Sequence, residues 1–172
     1  MPDVLTVTLS FLLTTVFAAV WGAHLFETAV LFRVWAAEPP TALPAFVATP
    51  YSTRLAGFWR ALTPGLYTVA PIAVIVAAVA GLQTHLALAI GGACGLIHLA
   101  MIILIFMPTN VNLGFYSGAP ASHDPQVVAS LVQRWGRWNL VRVGVETVGL
   151  VAALIAFKTS SAPQSVSASA CA

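Results

Sequence analysis

Charge is what this sequence has least of. Twelve of its 172 residues carry it, seven Lys or Arg and five Asp or Glu. Soluble domains devote about a quarter of their residues to charge, so a water-exposed globule is excluded. The net charge of +2 is small and scattered, which leaves no basic stripe for a nucleic acid. Cysteine is nearly missing as well. Cys94 lies in an apolar stretch and Cys171 close to the end, so neither a disulfide framework nor a CxxC metal site can be built. The opening MPDVLTVTLSFLL has no basic stretch ahead of its apolar run, and that run is too long for a signal peptide. A retained first span is expected.

What the chain has is grease. Hydrophobic residues make up 59% of it, and the mean hydropathy is +0.93. This is the composition of an integral membrane protein. A helix rises about 1.5 Å per residue, so about 20 apolar residues cross a bilayer. Four stretches meet that length, at residues 4–34, 61–82, 86–107 and 138–157. Backbone polar groups in lipid must be paired within helices, which predicts an all-α, four-span up-down bundle over residues 1–158. The remaining small polar residues, 159–172, read as a disordered tail.

The links differ. Residues 81–85, GLQTH, make a tight turn, whereas residues 35–60 form a long first link carrying Pro39, Pro40, Pro44 and Pro50. That link closes with Tyr51, Phe58 and Trp59 as interfacial anchors. Pro64 and Pro71 should bend the second span or mark its start. In the third link, Asp124 as N-cap and Pro125 at the first helical position announce a helix. Val127, Val128, Leu131, Val132 and Trp135 give it an apolar face, predicting a short interfacial helix that breaks at Gly136 before the last span. Both long links fall on one side with Arg33, Arg54, Arg60, Arg134 and Arg137, against Lys158 alone on the other. The positive-inside rule then places both links in the cytoplasm and both ends outside, in the plasma (inner) membrane.

Polar residues inside the spans are few and meet at one depth. Counted from the link side, His24 and His98 lie about 13 Å in, Glu146 about 12 Å and Glu27 about 9 Å. Arg142 sits just above them, Tyr67 and Thr68 reach a similar level, and Trp135, Trp138, Arg142 and Glu146 follow helical spacings of three and four. Intramembrane charges either pair to glue helices together or line a functional cavity, and the two roles are compatible. Two histidines and two carboxylates (His24, Glu27, His98, Glu146) are also ligands for a non-haem metal, a lesser alternative to a metal-free polar pocket. Asn110 and Asn112, in MPTNVN, either end a helix beside Pro108 or turn amides to the cavity mouth. Trp59, Trp135 and Trp138 are either belt anchors or walls on which a substrate stacks, and Phe115 and Tyr116 share that ambiguity.

MPTNVNLG (Met107–Gly114) and RWGRWNLVR (Arg134–Arg142), with four spans and a long first link, resemble the anthrone-oxygenase-like family of small membrane proteins. The resemblance carries over to Asn110, to Arg142 and to Trp135 or Trp138. Many relatives have a histidine three residues before that arginine, where this chain has Asn139, and GAHLFETAVLFRVW departs from the family pattern. What the resemblance implies is oxidation of a polycyclic phenolic ketone by O₂, anthrone to anthraquinone, with no cofactor. Glu27, Glu146 or His24 would be the base, Arg142 and Asn110 would hold the oxygen, and Asn112, Tyr67 and the tryptophans would bind a flat apolar aromatic molecule. Two other classes remain: a non-catalytic membrane protein, such as an assembly subunit or lipid or small-molecule binder, and a carrier, for which an inverted repeat is missing.

Overall fold

The computed structural model describes residues 4–162, apart from the side chains of Tyr51, Thr53, Ala56, Leu82, Gln83 and Thr84. The anchor role expected of Tyr51, the placement of Cys171 and nearly all of the polar tail lie outside the described residues. Helix α1 spans Val4–Phe26 and runs through one π turn, Glu27–Leu31, into α2, Phe32–Ala37. A short helix α3, Pro39–Val47, leads to the long α4, Pro50–Ala80. Helix α5, Leu82–Met101, passes through a second π turn, Ile102–Phe106, into α6, Met107–Leu113. Helix α7 then runs Pro125–Ser161.

Four stretches are long and apolar enough to cross a membrane: Val4–Ala37, Gly57–Ala80, His85–Leu113 and Pro125–Ser161. Helices α1, α4, α5 and α7 pack as a ring in chain order, each against the next, with α7 closing on α1. Small residues allow the closest approach, as expected where helices gain little from excluding lipid. A Cβ on Gly92 of α5 would stand 2.7 Å from the carbonyl oxygen of Ala70 on α4, so that position admits glycine alone. The outward faces carry Phe11, Phe26, Ile75, Val79, Leu104, Leu140 and Val151, all exposed. An apolar rim of that extent belongs in lipid.

Three local expectations meet the structure differently. The short interfacial helix is not a separate element, because α7 continues through Gly136 without a break. Gly136 serves a close approach instead: any Cβ there would run into the ring of Phe32. Second, MPTNVN closes its helix, as expected: α6 ends at Leu113, and the N–H of Gly114, at a φ of 85° that suits glycine, reaches back to the carbonyls of Asn110 and Val111. A proline displaces the carbonyl four residues back, and the wide turn just ahead of Pro108 absorbs that demand. Third, the long first link is largely helical. Pro39 and Pro40 occupy the first turn of α3, where the missing N–H costs nothing, and Pro50 does the same for α4. The second span continues through Pro64 and Pro71 as one helix rather than starting at either.

The interior has two apolar cores with a polar layer between them. Toward the tight turn, Leu9, Leu13, Phe17, Leu66, Ala70, Ala73, Ala77, Leu88, Ala153 and Ala156 are buried together. On the link side, Trp35, Leu43, Val47, Phe106, Leu113, Val128, Val132 and Trp135 form the other core. Helix α3 thereby packs on α7 and α4 and roofs the bundle.

Candidate functional site

The polar layer holds His24, Glu27, His98, Asn139, Arg142 and Glu146, all buried. Helix α1 supplies His24 and Glu27 because its buried stripe runs Leu13, Phe17, Val20, His24, Glu27 at steps of three and four. The π turn begins at Glu27, where the amide of Phe32 reaches back to the Glu27 carbonyl. Such turns widen a helix locally and are frequent at functional sites. On α7 the buried stripe is Trp135, Asn139, Arg142, Glu146 and Gly149. Trp138 is 37% exposed and faces away from this stripe, so the expectation that it joins the row is corrected. Asn139 takes that place.

The layer divides into two tiers. In the first, Arg142 lies 3.2 Å from Glu27 Oε2, and the indole N–H of Trp59 donates to Glu27 Oε1 at 2.7 Å. Arg142 also donates to Asn139 Oδ1, and the Asn139 amide donates to the hydroxyl of Thr28. The guanidinium lies over the Phe106 ring at 4.0 Å and near Trp135 at 5.9 Å. In the second tier, His24 Nδ1 is 2.6 Å from Glu146 Oε1, and His98 Nε2 approaches the same oxygen to 3.1 Å. The His24 ring stacks on Trp59 with centroids 4.1 Å apart.

The charges nearly balance. Glu27 and Glu146 share the layer with one guanidinium, that of Arg142, and with two imidazoles, His24 and His98. Neutrality matters here because an uncompensated charge buried in a membrane is expensive.

A cavity of about 380 Å³ opens beside the first tier, toward the link side. Trp35, Trp59, Phe115, Tyr116 and Trp135 wall it, with His24, Glu27, Tyr67 and Arg142 among its polar lining. Arg60 and Asn110 also line it. Asn110 accepts the Trp135 indole N–H at 3.0 Å, which joins α6 to α7 at the cavity wall. The structure therefore brings together Glu27, His24, Arg142, Trp59, Trp135, Tyr67 and Asn110. Glu146 and His98 stand behind His24 and do not line the cavity. Asn112 and Trp138 lie outside it, both exposed on the surface.

Sequence reasoning missed three residues of the site. Trp35 lines the cavity but was read as the start of a link; it lies two helical turns beyond Glu27, a spacing that could have found it. Asn139 is three residues before Arg142 on the same face, a polar side chain in an otherwise apolar span. Phe106, under the guanidinium, carries no signal that separates it from ordinary core.

A family model described as anthrone oxygenase matches residues 56–152, more than half of the chain. The match covers Trp59, Tyr67, His98, Asn110, Arg142 and Glu146 and leaves out the first span with His24 and Glu27. Comparison with curated proteins and with solved structures gives no match.

Proposed function

Because the chain belongs to the anthrone oxygenase family, we propose that it oxidises a flat, apolar phenolic ketone of the anthrone class with O₂ inside this cavity. The observation that carries the reading is the pairing of aromatic walls with one carboxylate, Glu27, and the buried guanidinium of Arg142, with Arg60 also in the lining. The volume of 380 Å³ falls among small-molecule pockets, whose range is about 300–1,000 Å³. Trp59 and Trp135 offer indole faces against which fused rings can lie.

The chemistry converts a ring CH₂ to C=O, with anthrone and O₂ giving anthraquinone and water. Glu27 is the carboxylate that lines the cavity, and it takes a proton from the CH₂. The carbanion delocalises its charge onto the ring ketone oxygen. Arg142, its Nε still without a partner, and the buried Tyr67 hydroxyl, also unpartnered, are donors for that oxyanion. The carbanion passes one electron to O₂, the resulting radical and superoxide couple, and the hydroperoxide so formed loses water to leave the second carbonyl. His24 fills the wall beside Glu27, fixed by Glu146 and by Trp59.

The test is O₂ uptake with emodin anthrone by membranes carrying the protein, compared with membranes lacking it. Glu27→Gln keeps the shape and the indole bond but removes the base, and should lower turnover by about 10²-fold or more. Wild-type membranes that consume O₂ no faster than the empty ones would reject the proposal. A second reading, a binder of such molecules without turnover, is favoured by the family match stopping short of Glu27. It predicts quenching of tryptophan fluorescence by the ligand in the absence of O₂ uptake.

A further inference from the structure

The second tier has a geometry that hydrogen bonding leaves unexplained. His98 is fully buried, yet neither of its ring nitrogens is hydrogen-bonded, and Glu146 Oε2 is likewise buried without a partner. His98 Nε2 lies 3.1 Å from Glu146 Oε1, a distance at which a hydrogen bond is normal, but its direction is wrong for one. Two buried groups this close, with no hydrogen bond between them, leave lone pairs for a third partner. Ligands of a single ion behave in this way.

We propose that His24, His98 and Glu146 form a binding site for one divalent first-row transition-metal ion, with ferrous iron as the best match. One ligand atom from each residue falls within 4.8 Å of the others, and the three come from α1, α5 and α7. Metal–ligand bonds of about 2.0–2.2 Å place neighbouring ligand atoms about 3 Å apart. The contacts of 2.6 and 3.1 Å around Glu146 Oε1 need little opening to reach that spacing. Two imidazoles and one carboxylate, with no thiolate, suit iron, manganese, cobalt or zinc rather than a soft ion such as Cu(I). The stack on Trp59 holds the His24 ring in place. Glu27 stands outside this cluster, on the cavity side, with Trp59 and Arg142. A divalent ion brings positive charge to a layer whose two carboxylates, Glu27 and Glu146, have a single guanidinium.

The inference goes beyond the oxidation reading and stands without it, because ion binding is read with no substrate present. The protein, purified in mild detergent and stripped with a chelator, is loaded with Fe²⁺ or Co²⁺ without O₂ and desalted. About one equivalent of metal should remain by elemental analysis. The Co²⁺ form should show visible d–d absorption, a signature of the wild type that depends on no variant folding. His98→Ala and Glu146→Gln should each lose both, while Glu27→Gln should keep them. Less than about a tenth of an equivalent on the wild type would overturn the site, as would retention of the Co²⁺ spectrum in both His98→Ala and Glu146→Gln.

Discussion

Arg142 is held by one of its terminal nitrogens, which faces Glu27 and Asn139, while its guanidinium lies over the Phe106 ring and near that of Trp135. Removing it leaves Glu27 as a buried carboxylate without a cation. Arg142→Met should therefore lower stability by about 3–5 kcal/mol, the usual cost of orphaning a buried charge. Adding Glu27→Gln to Arg142→Met should recover part of that loss, because the orphaned charge goes with it. Thermal unfolding in detergent measures both, and a double variant no more stable than Arg142→Met would refute the pairing. At this scale much of the site was legible in the sequence. In a span where nearly every residue is apolar, His24, Glu27, His98 and Glu146 stand out, and helical rise converts their positions into a common depth. Depth does not give direction, however. Trp138 and Asn139 are neighbours in sequence and differ by a fraction of a turn, enough to put one at the lipid face and the other in the charged layer.

Among the elements, glycines decide where helices touch. Gly92 meets the α4 backbone at Ala70, while Gly144 has nothing within 4 Å of where a Cβ would stand. Gly92→Val should force α4 and α5 apart and cost about 1–3 kcal/mol. Gly144→Ala should be neutral or stabilise by about 0.5–1 kcal/mol, as alanine does in a helix interior. Unfolding midpoints of the two variants check the contrast; similar losses in both would mean that helix contact is not what distinguishes them. Composition shows that glycines sit in spans but not which face each one takes, so Gly136 reads as a break when it is a contact with Phe32. The two π turns were equally hidden. Each is one residue of extra width, at Glu27–Leu31 and Ile102–Phe106, and apolar periodicity has no resolution for it.

For the whole molecule, the four-span bundle follows from composition alone, because lipid permits few alternatives. The roof did not follow. Its prolines signal interruption in a sequence, and only the packing of Trp35, Leu43 and Val47 against α7 shows that the interrupted stretch folds back as a helix. Arg33, Arg54, Arg60, Arg134 and Arg137 are all exposed on the link side, free of the buried layer and thus available to set orientation. The positive-inside rule predicts that cysteines introduced at Thr49 and Ser122 react with impermeant reagents from the cytoplasmic face alone. Labelling from the opposite face would reverse the topology.

The unbroken course of α7 has one more consequence. Its 37 residues make a rod about 55 Å long at 1.5 Å per residue, against about 30 Å of hydrocarbon. One end of the rod carries the roof contacts Val128, Val132 and Trp135, and its middle carries Arg142 and Glu146. The seat on which the roof rests and the charged floor thus ride on the same beam, at a spacing that the helix itself sets. Across the cavity from it, the start of α4 presents Ser52, Leu55 and Trp59, and Pro64, which has no N–H, interrupts the hydrogen-bond ladder just beyond them. An unbroken helix and a proline-interrupted one thus face each other across a single space.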